Sequence, residues 1–230
     1  MLETAIALPV VLTVGLMAVQ WAFVHEARAV LEHAALMAAR AGALENARPG
    51  PMRTALARAL TPLYAPASNA VAFEKRLHLK ALPDVSLHSR IRVLNPTQEA
   101  FRDHGRRDNR GTLYLPFRDV HREGTRRGRA SGLTLADATL LRIQVTYGYP
   151  LRVPYAGWFI RQAAQAANRF SPSTDWLTRR LLAANRLPIT TTATVRMQSR
   201  VHAGRHFPRR HDLPDLPRDR PDAARKDLHR

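Results

Sequence analysis

The 230 residues contain no cysteine, only three lysines and, near the N-terminus, one long stretch without any charge. The missing cysteine excludes a disulfide framework and thiolate chemistry, and is compatible with either side of a bacterial membrane. The three lysines, Lys75, Lys80 and Lys226, leave nearly all the positive charge to arginine. Lys+Arg number 36 against 18 Asp+Glu, a formal net charge of +18. That balance favours anionic neighbours such as nucleic acid, acidic lipid or an acidic polymer, although an arginine bias also follows from GC-rich coding. There is no Gly-rich phosphate loop and no internal repeat, and Ser131-Gly132 lacks the frame of a nucleophile elbow. No enzymatic activity and no cofactor is expected.

The uncharged stretch sets the class. Residues 4–24 are dominated by Ala, Val and Leu, and about 20 apolar residues cross a hydrocarbon core of roughly 30 Å. A cleaved signal peptide would begin with basic residues and carry a core of roughly 7–15 residues. Here no Lys or Arg precedes the run and the run is longer, so a retained span is expected. Pro9 falls near the first turns, where a lost backbone donor matters least. The helix then continues: residues 24–47 contain no proline, and Val24, Ala27, Leu31, Ala34 and Ala38 form a stripe at helical spacing. The first break is Arg48-Pro49-Gly50-Pro51. The stripe residues are too small for a coiled-coil seam and suit close packing on other helices or on the chain's own domain.

Beyond the break, residues 52–60 read as a short helix. Four stretches then alternate with period two, the signal of strands with one buried face. They are AVAFEKRLHL (Val71, Phe73, Leu77 and Leu79 inward), VSLHSRIRVL (Val85, Leu87, Ile91 and Val93), LLRIQVTYGYPLRV (Leu141 through Val153) and ITTTATVRMQSRV (Ile189 through Val201). Residues 158–170 and 174–185 read as helices. The fold class is α+β: a long N-terminal transmembrane helix, then a small antiparallel sheet domain with short packing helices. The expected domains are a transmembrane segment 1–24, a helical continuation 25–48, an α+β domain 49–201 with an Arg-rich insertion 102–130, and a disordered basic tail 202–230. The tail mixes Arg, Asp and Pro with few large apolar residues. The insertion reads as unstructured except for a strand-like TLYLPF. Its Arg106, Arg107, Arg110, Arg126, Arg127 and Arg129 are candidates for an anionic surface.

One carboxylate, Glu3, stands at the head of the apolar run. At a lipid interface it would be solvated and favoured by the positive end of the helix dipole. Inside an apolar assembly it would need a partner charge. Metal binding is not expected. His25 and His33 with Glu26 and Glu32 read as interfacial or solvated side chains, and His202 and His206 are separated by Gly204 with no helix to align them.

These residues carry a resemblance. Residues 2–43 resemble the start of TadE-like proteins, minor pseudopilins of the tight-adherence (Flp) pilus and related secretion systems. Glu3, Ala7, Leu8 and Pro9 match the acidic head of the span. Arg28, Leu31, Ala34, Ala35, Ala38, Ala39, Arg40, Ala41, Gly42 and Ala43 match the helix that continues it. LLRIQVTYGYPLRVP and LPITTTATVRMQSRV are similar to strands of longer members, whereas residues 50–130 match poorly. The resemblance implies a pseudopilin-like fold, a single-pass inner-membrane protein with its C-terminal domain in the periplasm, and a role in assembling or priming a filament. It implies as partners other pilin-like subunits, inner-membrane pilus assembly proteins and the lipid bilayer. For Glu3 it implies pairing with the α-amino group of a neighbouring subunit. Pilin-like precursors carry a short basic leader ending in Gly, with the Glu fifth in the mature chain. If Gly-x-x preceded Met1, Glu3 would be fifth and prepilin peptidase would join the partners; otherwise the protein is not processed.

Positive charge concentrated after the span argues for a cytoplasmic domain. The rule counts short flanks, however, and residues 25–45 carry Arg28 and Arg40 against Glu26, Glu32 and Glu45. The alternative function is a membrane-anchored basic module that binds nucleic acid or an anionic envelope polymer, with nucleic acid the weaker of the two. A third reading is a solute-binding or sensory domain around Trp158 and Trp176.

Overall fold

The apolar run and the alanine-rich segment form one α-helix, α1 (Leu2–Leu44), in the computed structural model. The structure describes residues 2–64, 69–123, 125–153, 162 and 175–213, with backbone only for residues 2–6 and 123. The expected stripe is the buried one: Val24, Ala27, Leu31, Ala34 and Ala38 all face the core. The helix stops before the prolines. Asn46 and Ala47 take left-handed φ of 58° and 56°, and Ala47 N–H donates to the Gly42 carbonyl at 2.7 Å, closing the last turn. Ser199 Oγ donates to the Ala43 carbonyl (2.8 Å) and accepts from Asn46 N–H (2.9 Å). Pro49, Gly50 and Pro51 then open α2 (Pro49–Leu60) instead of breaking the chain. A first-turn proline gives up only an N–H that has no helical acceptor.

Residues 70–88 correct the sequence reading. AVAFEKRLHL is helical, not a strand: α3 (Ala70–Arg76), a π turn (Leu77–Ala81) and α4 (Leu82–His88) run on from one another. Asn69 caps the start, its side-chain oxygen accepting from Ala72 N–H at 2.8 Å. Leu77, Ala81 and Val85 are buried at a spacing of four, while Val71, Leu79 and Leu87 of the expected inward set are exposed. Pro83 cannot donate to the carbonyl four residues back, and the wider π turn precedes it.

Strand β1 (Ser89–Asn95) follows directly. Next come α5 (Gln98–His104), β2 (Arg106–Arg107), β3 (Leu113–Leu115), α6 (Val120–Glu123) and α7 (Leu135–Ala138). The remaining elements are β4 (Leu140–Pro150), α8 (Trp176–Ala183), β5 (Arg186–Arg196) and β6 (Val201–His202). The main sheet is antiparallel in the order β1-β4-β5, with Val145 opposite Ile91 on one side and Thr191 on the other. Leu141, Ile143, Val145, Tyr147 and Tyr149 are buried under α1 and α2. Strands β2-β3-β6 form a second, smaller sheet. The expected helix at 158–170 lies outside the described residues except for Gln162, which is helical.

In both segments read as unstructured, the described residues include regular elements. The insertion supplies β2 and α6 beside β3, which falls on the expected strand-like TLYLPF. The tail continues as structure to residue 213. Val201 and His202 pair with Leu115 and Tyr114, and Phe207 is buried against Phe101 at 4.9 Å between ring centroids. Gln98 N–H donates to the Pro208 carbonyl (3.0 Å), and Arg210 N–H to Glu99 Oε2 (2.9 Å). One aromatic anchor and the amides at the head of α5 outweigh the polar composition on which the disorder reading rested.

Candidate membrane anchor and anionic surfaces

From Ala7 to Val19, α1 is bare on most sides. Leu8, Val10, Val11, Leu12, Val14 and Val19 are all exposed, and Gln20 is the first buried residue among those described. Leu2 to Val19 spans roughly 27 Å at 1.5 Å per residue, close to a hydrocarbon core of about 30 Å. Among the described residues this is the one helix long and apolar enough to cross a membrane. The domain therefore meets the anchor within the segment read as spanning, since Gln20 and Val24 already carry domain contacts.

Gln20 makes that junction. It is fully buried, and its Oε1 accepts from the backbone N–H of Val153 (2.8 Å) and Arg152 (3.2 Å), while its Nε2 has no hydrogen-bond partner among the described residues. Arg152 also donates to the Leu63 carbonyl, which ties the segment after β4 to the 3-10 turn after α2. Trp21, 60% exposed, stands beside Gln20 with its ring edge-on to His25, as an aromatic at a membrane–water interface does. Glu3 lies in the first turn of α1, and its side chain is outside the described atoms.

At the other end, α1 approaches the sheet closely. A Cβ on Gly42 would fall 2.7 Å from Met52 Sδ and 2.9 Å from Leu141 Cδ2, so the small residues of the stripe serve the chain's own domain.

Asp84 fixes α4 to the sheet. Its carboxylate accepts from Tyr64 OH (2.6 Å), Tyr147 OH (2.8 Å) and the Arg186 guanidinium (2.6 and 3.2 Å). His88 Nδ1 lies 2.9 Å from Asp84 Oδ1 but is not aligned for a hydrogen bond. Burial alone would raise the Asp84 carboxyl; the hydrogen bonds from Tyr64, Arg186 and Tyr147 outweigh it and hold it below the ordinary carboxylate value. Burial pushes both tyrosines up.

The arginine candidates sit on a strand, in a turn and on a loop. Arg106 and Arg107 are exposed on β2, and Arg106 pairs with Asp119 at 2.7 Å. Arg110 sits in the turn closed by Gly111 N–H to Asp108 O. Arg126 and Arg129 are exposed, and Arg127 bridges to Thr134. Asp103 pins this loop: its carboxylate accepts from the N–H of Ala130 (3.0 Å) and Ser131 (2.7 Å) and from the Ser131 hydroxyl (2.7 Å). Desolvation opposes ionisation of Asp103, but the bonds from Ser131 and Ala130 prevail and keep its carboxyl below the ordinary value. The sequence reading missed Arg142 and Arg210, which line a cleft together with Arg127. Arg142 alternates outward on β4 and reads as a solvated strand face. Among the described residues no group of three or more His, Asp or Glu gathers as a metal centre requires. Trp158 lies outside the described residues, and Trp176 at the start of α8 is 57% exposed.

Residues 1–40 match the family model of TadE-like proteins. The matched stretch takes in the bare anchor, Gln20 and most of the buried alanine stripe. No curated protein and no solved structure matches the chain.

Proposed function

We propose that this TadE-like chain is a single-span inner-membrane pseudopilin that helps assemble or prime a tight-adherence-type pilus or a related secretion filament. The observation that carries the reading is the division of α1. Its first half is bare and apolar over a bilayer's thickness, and its second half is locked under the domain from Gln20 onward. Such a subunit holds its domain at a fixed height on the bilayer, with the periplasm on the domain's side. Its partners are pilin-like subunits and inner-membrane assembly proteins. Glu3 enters the apolar layer as a charge and pairs there with a neighbour's α-amino group.

Glu3→Gln tests the reading. The span remains apolar and long enough, so membrane insertion stays normal. Loss of one partner of a buried pair costs about 3–5 kcal/mol, more than a hundredfold in association. The variant is expected to accumulate in the membrane at wild-type level and to fail to co-purify with pilus assembly proteins. Wild-type recovery of those proteins at equal membrane levels would remove Glu3 from assembly and leave it a lipid-interface residue.

A further inference from the structure

A cleft of about 620 Å³ opens on the face of the main sheet turned away from α1. It lies at the end of the sheet remote from Gln20. Leu141 turns inward to Gly42 near the C-terminus of α1, and its neighbours Leu140 and Arg142 turn outward into the cleft. Thr194, the β5 partner of Arg142, completes that wall. Among the described residues the lining combines leucines with three guanidinium groups, those of Arg127, Arg142 and Arg210, against one carboxylate, Asp137. Asp137 is already engaged in the capping box of α7, accepting from Thr134 Oγ1 at 2.8 Å. Arg210 gives one N–H to the Ala130 carbonyl (3.1 Å). Arg142 Nε is shut off from solvent and has no hydrogen-bond partner among the described residues.

We propose that this cleft binds an acidic peptide segment of a partner protein, a carboxylate flanked by apolar side chains. Guanidinium groups match a carboxylate in forked geometry, and Leu94, Leu133 and Leu140 offer the flanking side chains an apolar wall. A lipid headgroup is too far: from Gln20 to Ala43 the helix rises roughly 35 Å. The lining among the described residues gives no aromatic platform on which nucleobases stack. A second copy of the chain is disfavoured by its charge of +18. The site is independent of the role of Glu3.

The full chain in non-ionic detergent micelles is titrated with a fluorescein-labelled hexapeptide of alternating leucine and glutamate. Saturable binding is expected, and the same peptide with glutamine for glutamate binds at least about tenfold more weakly. Arg142→Gln and Arg127→Gln each weaken the acidic peptide at least about tenfold, whereas Arg53→Gln on α2 leaves it unchanged. Thr194→Glu, at an exposed position, produces the same loss by placing a carboxylate at the cleft, so the outcome does not depend on a variant that disturbs Arg142. Absence of saturable binding overturns the proposal. So does binding unchanged in both Arg127→Gln and Thr194→Glu, or tighter binding of a thymidine octanucleotide or of anionic vesicles than of the peptide.

Discussion

Asp84 joins four parts of the fold through one carboxylate: Tyr64 after α2, its own helix α4, Tyr147 on β4 and Arg186 on β5. Asp84→Asn leaves Arg186 without its charge partner in a largely buried place, and the expected loss is about 3 kcal/mol of unfolding free energy, measured by urea denaturation in micelles. The pH dependence has a definite sign. Asp84 and Asp103 are both held below the ordinary carboxylate value. The unfolded chain therefore binds protons more readily, and their contribution is complete above about pH 4 and lost as pH falls through the folded values. The unfolding midpoint of the wild type should drop on acidification below about pH 4, and that of Asp84→Asn should drop less. Gln20 acts at the same scale. Gln20→Leu would insert equally well but leave two backbone N–H groups without an acceptor, at a cost of about 1–3 kcal/mol. Hydrogen exchange at Val153 should accelerate in that variant, and unchanged protection there would show that Gln20 does not hold the end of β4.

At the scale of elements, legibility followed the length of the pattern. The stripe of α1 and the inward sets of β4 and β5 run for many residues and came out mostly buried, although the stretch expected as one strand at 189–201 ends as β5 at Arg196 and Val201 pairs in the second sheet. Residues 70–88 failed because short apolar sets fit both periods: Leu77, Ala81 and Val85 mark a helix as readily as Val71, Phe73 and Leu79 mark a strand. The deciding signal was Asn69, a helix cap visible in the sequence. The turn at Asn46 and Ala47 had no glycine to announce it. Segment 202–213 was hidden by composition, because a single phenylalanine anchors it. Phe207→Ala should therefore destabilise the domain by about 3–5 kcal/mol, read as a lower urea midpoint, where a disordered tail would give no change. Of the cleft, Arg127 was recognisable in the insertion, but Arg142 and Arg210 come from a strand and from the tail, and only the fold brings the three together.

The whole molecule is an anchor and a domain joined without a flexible linker. α1 continues unbroken from the bare segment into the core, so the domain's height and orientation follow those of the helix. The family match, residues 1–40, falls on this one continuous element. The absence of cysteine makes this arrangement directly measurable, since any introduced thiol is the only one in the chain. Single-cysteine variants Val11→Cys and Gln198→Cys, expressed as full chains in cells with a permeable outer membrane and an intact inner one, can be treated with a membrane-impermeant maleimide. The expected result is labelling of Gln198→Cys before lysis and none of Val11→Cys until detergent is added. Labelling of Gln198→Cys only after lysis would put the domain in the cytoplasm and contradict the pseudopilin role, and ready labelling of Val11→Cys would contradict the anchor itself.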